Sequence, residues 1–304
     1  MRPKRHDSYQ QDTQILKRLW NKAAHITKTN GMIKCDRELL VKSVIISSIA
    51  NGVSRIRNAD VSDSAAYAAI EAVRRLGVTV KIDGDVLTVY GKGKRLSPKH
   101  NEIDIRGYDD LLFLLAPIAA NCENSVSIVN VGERTYLNDY VESLKKYGIK
   151  ISASEEKITV SPSEVNLESV MLSVDGKYLY DSILIASLYS SSKSIIYARS
   201  NMYNTTLLLL EAMRYEYKKK NYIIVSKDIE LSPIGIYIGK NANEVAASVR
   251  NEKAGSFHFS SVRADAVAME AIRELPQSEY TITVKYLNNG YFPLADIDIV
   301  RVKG

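Results

Sequence analysis

The sequence predicts an α/β (α+β) protein built from repeated units whose apolar helices are buried inside a shell of sheets. Three observations carry this. Three stretches read alike at intervals of about seventy residues: LLVKSVIISSIANGVSRIRN from Leu39, LLFLLAPIAANCENSVSIVN from Leu111 and YLYDSILIASLYSSSKSIIY from Tyr178. Each begins with a helix that is apolar nearly all round, and a helix without a polar face must be covered on every side. Each is followed by a second helix and two strands, so the repeating order is helix, strand, helix, strand, strand.

The elements follow in order. In each copy the apolar helix meets a small or polar stop, Gly52, Asn124 or Ser192, and then a short β-branched strand such as Ser54 to Asn58. Ser62 reads as an N-cap for DSAAYAAIEAVRRLG, which stops at Gly77; TYLNDYVESLKKYG stops at Gly148. In the third copy MYNTTLLLLEAMRYEY runs toward the cluster Lys218 to Lys220. The strand pair VTVKIDGDVLTVYG alternates with period two about Asp83-Gly84, and IKISASEEKITVSP repeats the pattern about Glu155-Glu156. A fourth, weaker helix-strand copy is expected in VRADAVAMEAIRELPQSEYTITV from Val262.

A length of 304 residues favours two domains or one large repeat-built unit. With 45% hydrophobic and 25% charged residues the composition excludes a disordered or fibrous chain. No apolar run is long enough for a membrane span or a signal peptide, so a soluble, cytoplasmic monomer is expected. Cys35 and Cys122 are too few and too far apart for a disulfide framework or a zinc site. The net charge of +6 is concentrated at the start, since residues 1–34 carry eight Lys or Arg against Asp7 and Asp12. That basic arm reads as a solvated tail with a docking helix. No helix-turn-helix, zinc-finger or RNP signature accompanies it, so nucleic acid is not the expected partner. The Gly-x-Gly of VYGKGKRLSP reads as a basic loop after a hairpin, and no histidine has a catalytic or metal-binding partner at helical spacing.

The segment from Asp36 to Gly93 resembles the start of the EPSP synthase family, the enolpyruvyl transferases, in the same register over some sixty residues. The similarity continues more faintly through the helix at Asp109 to Asn121, SNMYNTTLLLL from Ser200, ADAVAM from Ala264 and GYFP from Gly290. The resemblance implies two domains made of βαβαββ units hinged around a cleft. Residues 31–217 would form a three-repeat domain, and 1–30 with 218–304 a second, shortened one carrying the basic arm. It implies transfer of the enolpyruvyl group of phosphoenolpyruvate to shikimate 3-phosphate in the shikimate pathway of aromatic amino acid biosynthesis. No metal or organic cofactor is implied.

Such chemistry needs cations to hold two phosphates and a carboxylate, and carboxylates to move protons. By the resemblance, the catalytic carboxylates are Asp63 and Glu230, and the substrate-binding set is Arg37, Lys42, Arg106, Arg134, Lys177 and Tyr203. Several family positions carry unsuitable residues. Glu38 stands among the phosphate ligands, Gly107 to Phe113 lack the backbone cradle and its arginine, Ala264 to Ala266 lack an arginine, and Gly290 replaces a lysine. The site therefore reads as degenerate and the activity as doubtful. The alternatives are a noncatalytic binding or regulatory protein of the same fold, or an activity on RNA ends, which the arm would suit. If phosphate binding survives, Arg37 and Lys42 should project from the N-terminal turns of the first buried helix toward the domain interface, and Glu38 should turn away or pair with one of them.

Overall fold

The computed structural model describes residues 35–301 apart from 133–135, 173–176, 199–203, 220–221, 227–228, 252–255, 267 and 289–290. Helix α1 (Arg37–Ser48) leads into strand β1 (Asn51–Arg57), helix α2 (Ser64–Arg75) and the hairpin β2 (Thr79–Asp83) and β3 (Val86–Lys92). The second unit is β4 (Glu102–Asp104), α3 (Asp109–Ala119), β5 (Val126–Val129), α4 (Leu137–Lys145), β6 (Lys150–Ala153) and β7 (Lys157–Ser161). The third is β8 (Val170–Leu172), α5 (Lys177–Ser187), β9 (Ser194–Ala198), α6 (Thr205–Ala212), β10 (Tyr217–Lys219) and β11 (Ile223–Val225). The third copy thus departs from the sequence reading at its end. Its second helix stops at Ala212, and the run toward the lysine cluster is a strand.

The sheet orders are β4-β5-β7-β6 and β8-β9-β11-β10, and the first unit completes the same pattern with a strand from far downstream. Strand β12 (Gly235–Tyr237) lies parallel to β1, with Arg57 opposite Tyr237, giving β12-β1-β3-β2. Each sheet is therefore entered by a parallel strand and closed by an antiparallel hairpin. The division expected after residue 217 falls at the start of β10, and the pairing of the large body runs on to Tyr237.

The unit ends repeat at atomic detail. After α2 the chain turns left-handed at Gly77 (φ 91°), and after α4 at Gly148 (φ 85°); a Cβ there would meet the Ser97 or Glu164 carbonyl at 2.4 Å. In both, the next amide reaches back five residues, Val78 to Val73 and Ile149 to Leu144, closing a Schellman motif. The third unit makes the same bond from Tyr215 to Leu210, with Arg214 held at φ 66° in the glycine position. The N-cap of α2 is Asp63 rather than Ser62. Its carboxylate accepts from the Ala65 and Ala66 amides, while Ser62 bonds instead to Asp60.

The all-round apolar helices are buried as their composition requires. Every residue from Leu39 to Ser48 of α1 and from Leu111 to Ala119 of α3 is buried, and α5 is buried from Tyr180 through Ser187. These helices pack on one another inside the three sheets. A separate apolar cluster lies downstream in α7 (Ala242–Asn251), β13 (Ser256–Arg263), α8 (Glu270–Arg273), β14 (Tyr280–Tyr286) and β15 (Leu294–Arg301). Val245, Val249, Ile272, Ile297 and Ile299 fill it, beneath a β13-β15-β14 sheet. The fourth copy is therefore phased differently from the expectation: Val262 is in a strand, and the helix-strand copy read there is the short α8 with β14. No described helix is long and apolar enough to cross a membrane.

Candidate functional site

The first turn of α1 organises the candidate site. The chain leaves the Cys35–Lys240 bridge, and the Asp36 amide is fixed by the Gly239 carbonyl at 2.7 Å. Asp36 then caps α1, accepting from the Leu39 amide at 3.0 Å. Three consecutive side chains diverge to three different neighbours. Asp36 meets Arg263 of β13, Arg37 meets Asp63 at the start of α2, and Glu38 meets Lys42 one turn along.

Arg37 donates from Nε to Asp63 Oδ2 at 2.8 Å, with its side chain 61% exposed and that of Asp63 16%. Burial pushes the Arg37 pKa down, but the neighbouring Asp63 raises it further, so the net displacement is upward. Beside this pair Ser64 and Tyr108 share a hydroxyl contact, and the Arg106 guanidinium lies 4.4 Å from the Tyr67 ring centroid in the first turn of α2. Arg106 itself sits in a left-handed turn, at φ 53°, with its amide held by Asp104. At the start of α3, Asp109 accepts from Tyr136 and from the Gly132 amide.

Lys42 is 5% exposed, and its ammonium bonds at 2.8 Å to both Glu38 Oε1 and Asp181 Oδ2. Burial alone would push its pKa down, but the two carboxylates outweigh that and hold it above its ordinary value. Asp181 also accepts from Asn204, whose side-chain oxygen caps α6 at the Leu207 amide. Arg263, 2% exposed, bonds to Asp36 at 2.9 Å, to Thr205 Oγ1 at 3.2 Å and to both oxygens of Asp265.

The expected set is thus dispersed. Arg37, Asp63 and Arg106 share one face around the first turns of α1 and α2. Lys42 lies beneath it, turned inward, and Glu38 pairs with it. Glu230 accepts from Asn51 Nδ2 at 2.6 Å, at the far end of α1 from Arg37. A twelve-residue helix separates those ends by about 18 Å, too far for Asp63 and Glu230 to serve one reacting group. Lys177 opens α5, whereas Arg134 and Tyr203 lie outside the described residues.

Sequence reasoning did not find Asp36, Asp181, Asn204 or Arg263. Their only local signal is the N-cap chemistry of Asp36 and Asn204; a carboxylate inside an apolar helix and an arginine ending a strand carry none. Four helix N-termini are also capped by side chains, whereas α3 and α4 have no side-chain cap. Asp36, Asp63, Asn204 and Asn241 each accept one or two first-turn amides of α1, α2, α6 and α7, donors that would otherwise be free for a phosphate. Among the described residues no group of three His, Cys, Asp or Glu could hold a metal ion.

No protein-family model matches the chain. It is 26% identical over 196 residues to a 3-phosphoshikimate 1-carboxyvinyltransferase of Streptococcus agalactiae, covering 60% of this chain and 44% of the relative. It is 27% identical over 140 residues to a protein of the same name from Clostridium perfringens, covering 44% of this chain and 32% of the relative. The chain thus spans less than half the length of the curated relatives it matches. In three dimensions it is similar to EPSP synthase from Acinetobacter baumannii, with a TM-score of 0.74 at 18% identity over 88% of this chain and 63% of that one.

Proposed function

We propose that this EPSP synthase-like chain, with that fold over most of its length, is a relative of the enolpyruvyl transferases whose family reaction is largely silenced. On this reading it is a binding protein of the EPSP synthase fold. Any transfer of the enolpyruvyl group from phosphoenolpyruvate to shikimate 3-phosphate proceeds at least about a hundredfold more slowly than in an ordinary member, the usual cost of losing one well-placed ionic or proton-transfer group. The observation that carries it is the pairing of Lys42 with Glu38 and Asp181 at 2.8 Å each. A buried ammonium held between two carboxylates forms a cluster of net negative charge with them and offers an incoming phosphate no net positive charge. The capped ends of α1 and α2 weaken the backbone alternative, and the uncapped end of α3 carries Asp109 and Asp110 in its first turn, which disfavour an anion there.

Retained transfer is the second reading, and one observation favours it: Arg37 and Arg106 are both exposed and stand on the same face as Asp63. Phosphate release from phosphoenolpyruvate and shikimate 3-phosphate, measured on protein purified from a host lacking its own enzyme, decides between them. Ordinary turnover would overturn the proposal. Calorimetry with shikimate 3-phosphate at millimolar concentration separates a silent site that still binds from one that does not.

A further inference from the structure

The outer face of the β12-β1-β3-β2 sheet is unlike those of the other two four-stranded sheets. Along β1 the side chains alternate, with Ser54 and Ile56 buried and Val53, Arg55 and Arg57 exposed. Cross-strand register carries this outward row across the sheet. Arg57 faces Tyr237 on one side, Arg55 faces Thr88 and through it Lys81 on the other, and Val53 faces Tyr90. Lys81 Nζ stands 5.3 Å from the Tyr90 ring centroid, and Tyr237 is 41% exposed. No ion pair joins Arg55, Arg57 or Lys81 to a carboxylate among the described residues, and Asp83 and Glu230 lie at the margins of the face. Outward positions of the second sheet, such as Glu102, Ser127, Thr159 and Lys157, hold no aromatic ring. Those of the third carry the Tyr197 and Tyr222 rings, 5.2 Å apart, and Lys193 and Lys218 beside Ile195 and Ile224, with no arginine among its described strand residues.

We propose that this face binds single-stranded nucleic acid, with Tyr237 and Tyr90 as stacking platforms and Arg55, Arg57 and Lys81 as phosphate contacts. Residues two apart on a strand lie about 6.7 Å apart on one face, and neighbouring strands about 4.8 Å apart, so the rings and cations form one interleaved surface. A sheet presenting an exposed ring, Tyr237, and a half-buried one, Tyr90, among cations is an arrangement that can accept splayed bases and their backbone together. The like charge of residues 1–34 excludes that arm as the occupant, and a second copy of the face would be repelled in the same way. An acidic protein segment would use the cations but leave the rings idle, so the rings select the nucleic acid.

The test is fluorescence anisotropy of labelled oligouridylate and oligothymidylate with the full chain, at low and raised salt. Salt-dependent binding is expected. The double substitution Arg55→Glu with Arg57→Glu should weaken it by about tenfold or more, and Tyr237→Ala by about fivefold or more. Absence of binding by the parent, or undiminished binding by the charge-reversed variant with its arm intact, would overturn the proposal. So would competition by polyglutamate as effective as by oligonucleotide with Tyr237→Ala unchanged. Amide chemical-shift mapping on the parent gives a readout that needs no substitution: perturbation confined to residues 53–57, 81–90 and 235–237 supports the face, and perturbation elsewhere refutes it.

Discussion

Arg263 donates to Asp36 at 2.9 Å across 227 residues of chain, and both side chains are almost fully removed from water. The bond joins the end of β13, in the downstream cluster, to the cap of the first buried helix of the large body. Thr205 and Asp265 take three more of its N–H donors, and the Phe292 ring lies 5.6 Å from it. Arg263→Met should therefore destabilise the protein by about 3 kcal/mol, because it leaves two buried carboxylates unpaired. Asp36→Asn, which keeps a side-chain oxygen for the cap, should cost less. Urea unfolding of the two single variants and the double measures the coupling, and a loss below about 1 kcal/mol for Arg263→Met would show that water compensates the pair.

Alkaline stability follows from groups whose pKa is raised on folding. Burial would push Lys42 down but Asp181 and Glu38 carry it above its ordinary value, and burial pushes Tyr189 well up. A raised folded pKa stabilises fully below the unfolded value, about 10 for both groups, and the contribution is lost as pH rises through the folded value. Stability should accordingly be flat from neutral pH to about 8.5, decline as the unfolded forms of Cys35 and Cys122 begin to ionise, and fall more steeply beyond about 10. Tyr189→Phe should flatten that fall. Because the Tyr189 hydroxyl has no hydrogen-bond partner among the described residues, the same change should stabilise the protein at neutral pH by about 1 kcal/mol.

The two thiols should be inert. Burial pushes Cys35 up to about 11, an effect the Asp60 amide hydrogen bond only partly offsets, and pushes Cys122 up to about 12. At pH 8 this leaves a thiolate fraction of about one in a thousand or less. Ellman's reagent should label neither cysteine of the folded protein within minutes and both at once in urea. Rapid labelling of the native state would mean that the α1 junction opens readily.

Asp63 both caps α2 and neutralises Arg37, and the two roles can be separated. Asp63→Ser keeps a capping oxygen and frees the guanidinium; Asp63→Ala also frees the Ala65 and Ala66 amides, at a cost of about 1 kcal/mol. Both variants should be stabilised by sulfate more steeply than the parent in thermal melts, with Asp63→Ala the steeper. Equal slopes in all three would show that no anion site lies latent beneath Asp63.

The interior of the fold was legible because its signals are local. An unbroken apolar run from Leu111 to Leu115 cannot be a surface helix, and Asp83-Gly84 between alternating strands yields the hairpin in which Asp83 faces Val86. Gly77 and Gly148 marked the ends of their helices for the same reason. What stayed hidden is non-local. Gly235–Tyr237 has three residues and no periodicity, so nothing in it announces β1 as its partner. Lys42 reads as a cation available to a ligand until Asp181, 139 residues on, is seen to hold it. The nucleic-acid face is spread over four strands, and its Arg57 and Tyr237 are neighbours only through the parallel register.

The late strand β12 has a consequence for the order in which the protein is made. Its Gly235 to Tyr237 complete a sheet begun at Asn51, and the Leu231 carbonyl also holds the Asn51 amide at 2.9 Å. At a ribosomal rate of roughly 5–20 residues per second, the first unit waits about 9–36 seconds between the synthesis of Arg57 and that of Tyr237. Through that interval β1 has one open edge beside exposed arginines, and its closing contact is among the most distant in the chain. The second and third units, whose parallel strands are encoded just ahead of their helices, have no such wait. The unit translated first is the last to be sealed.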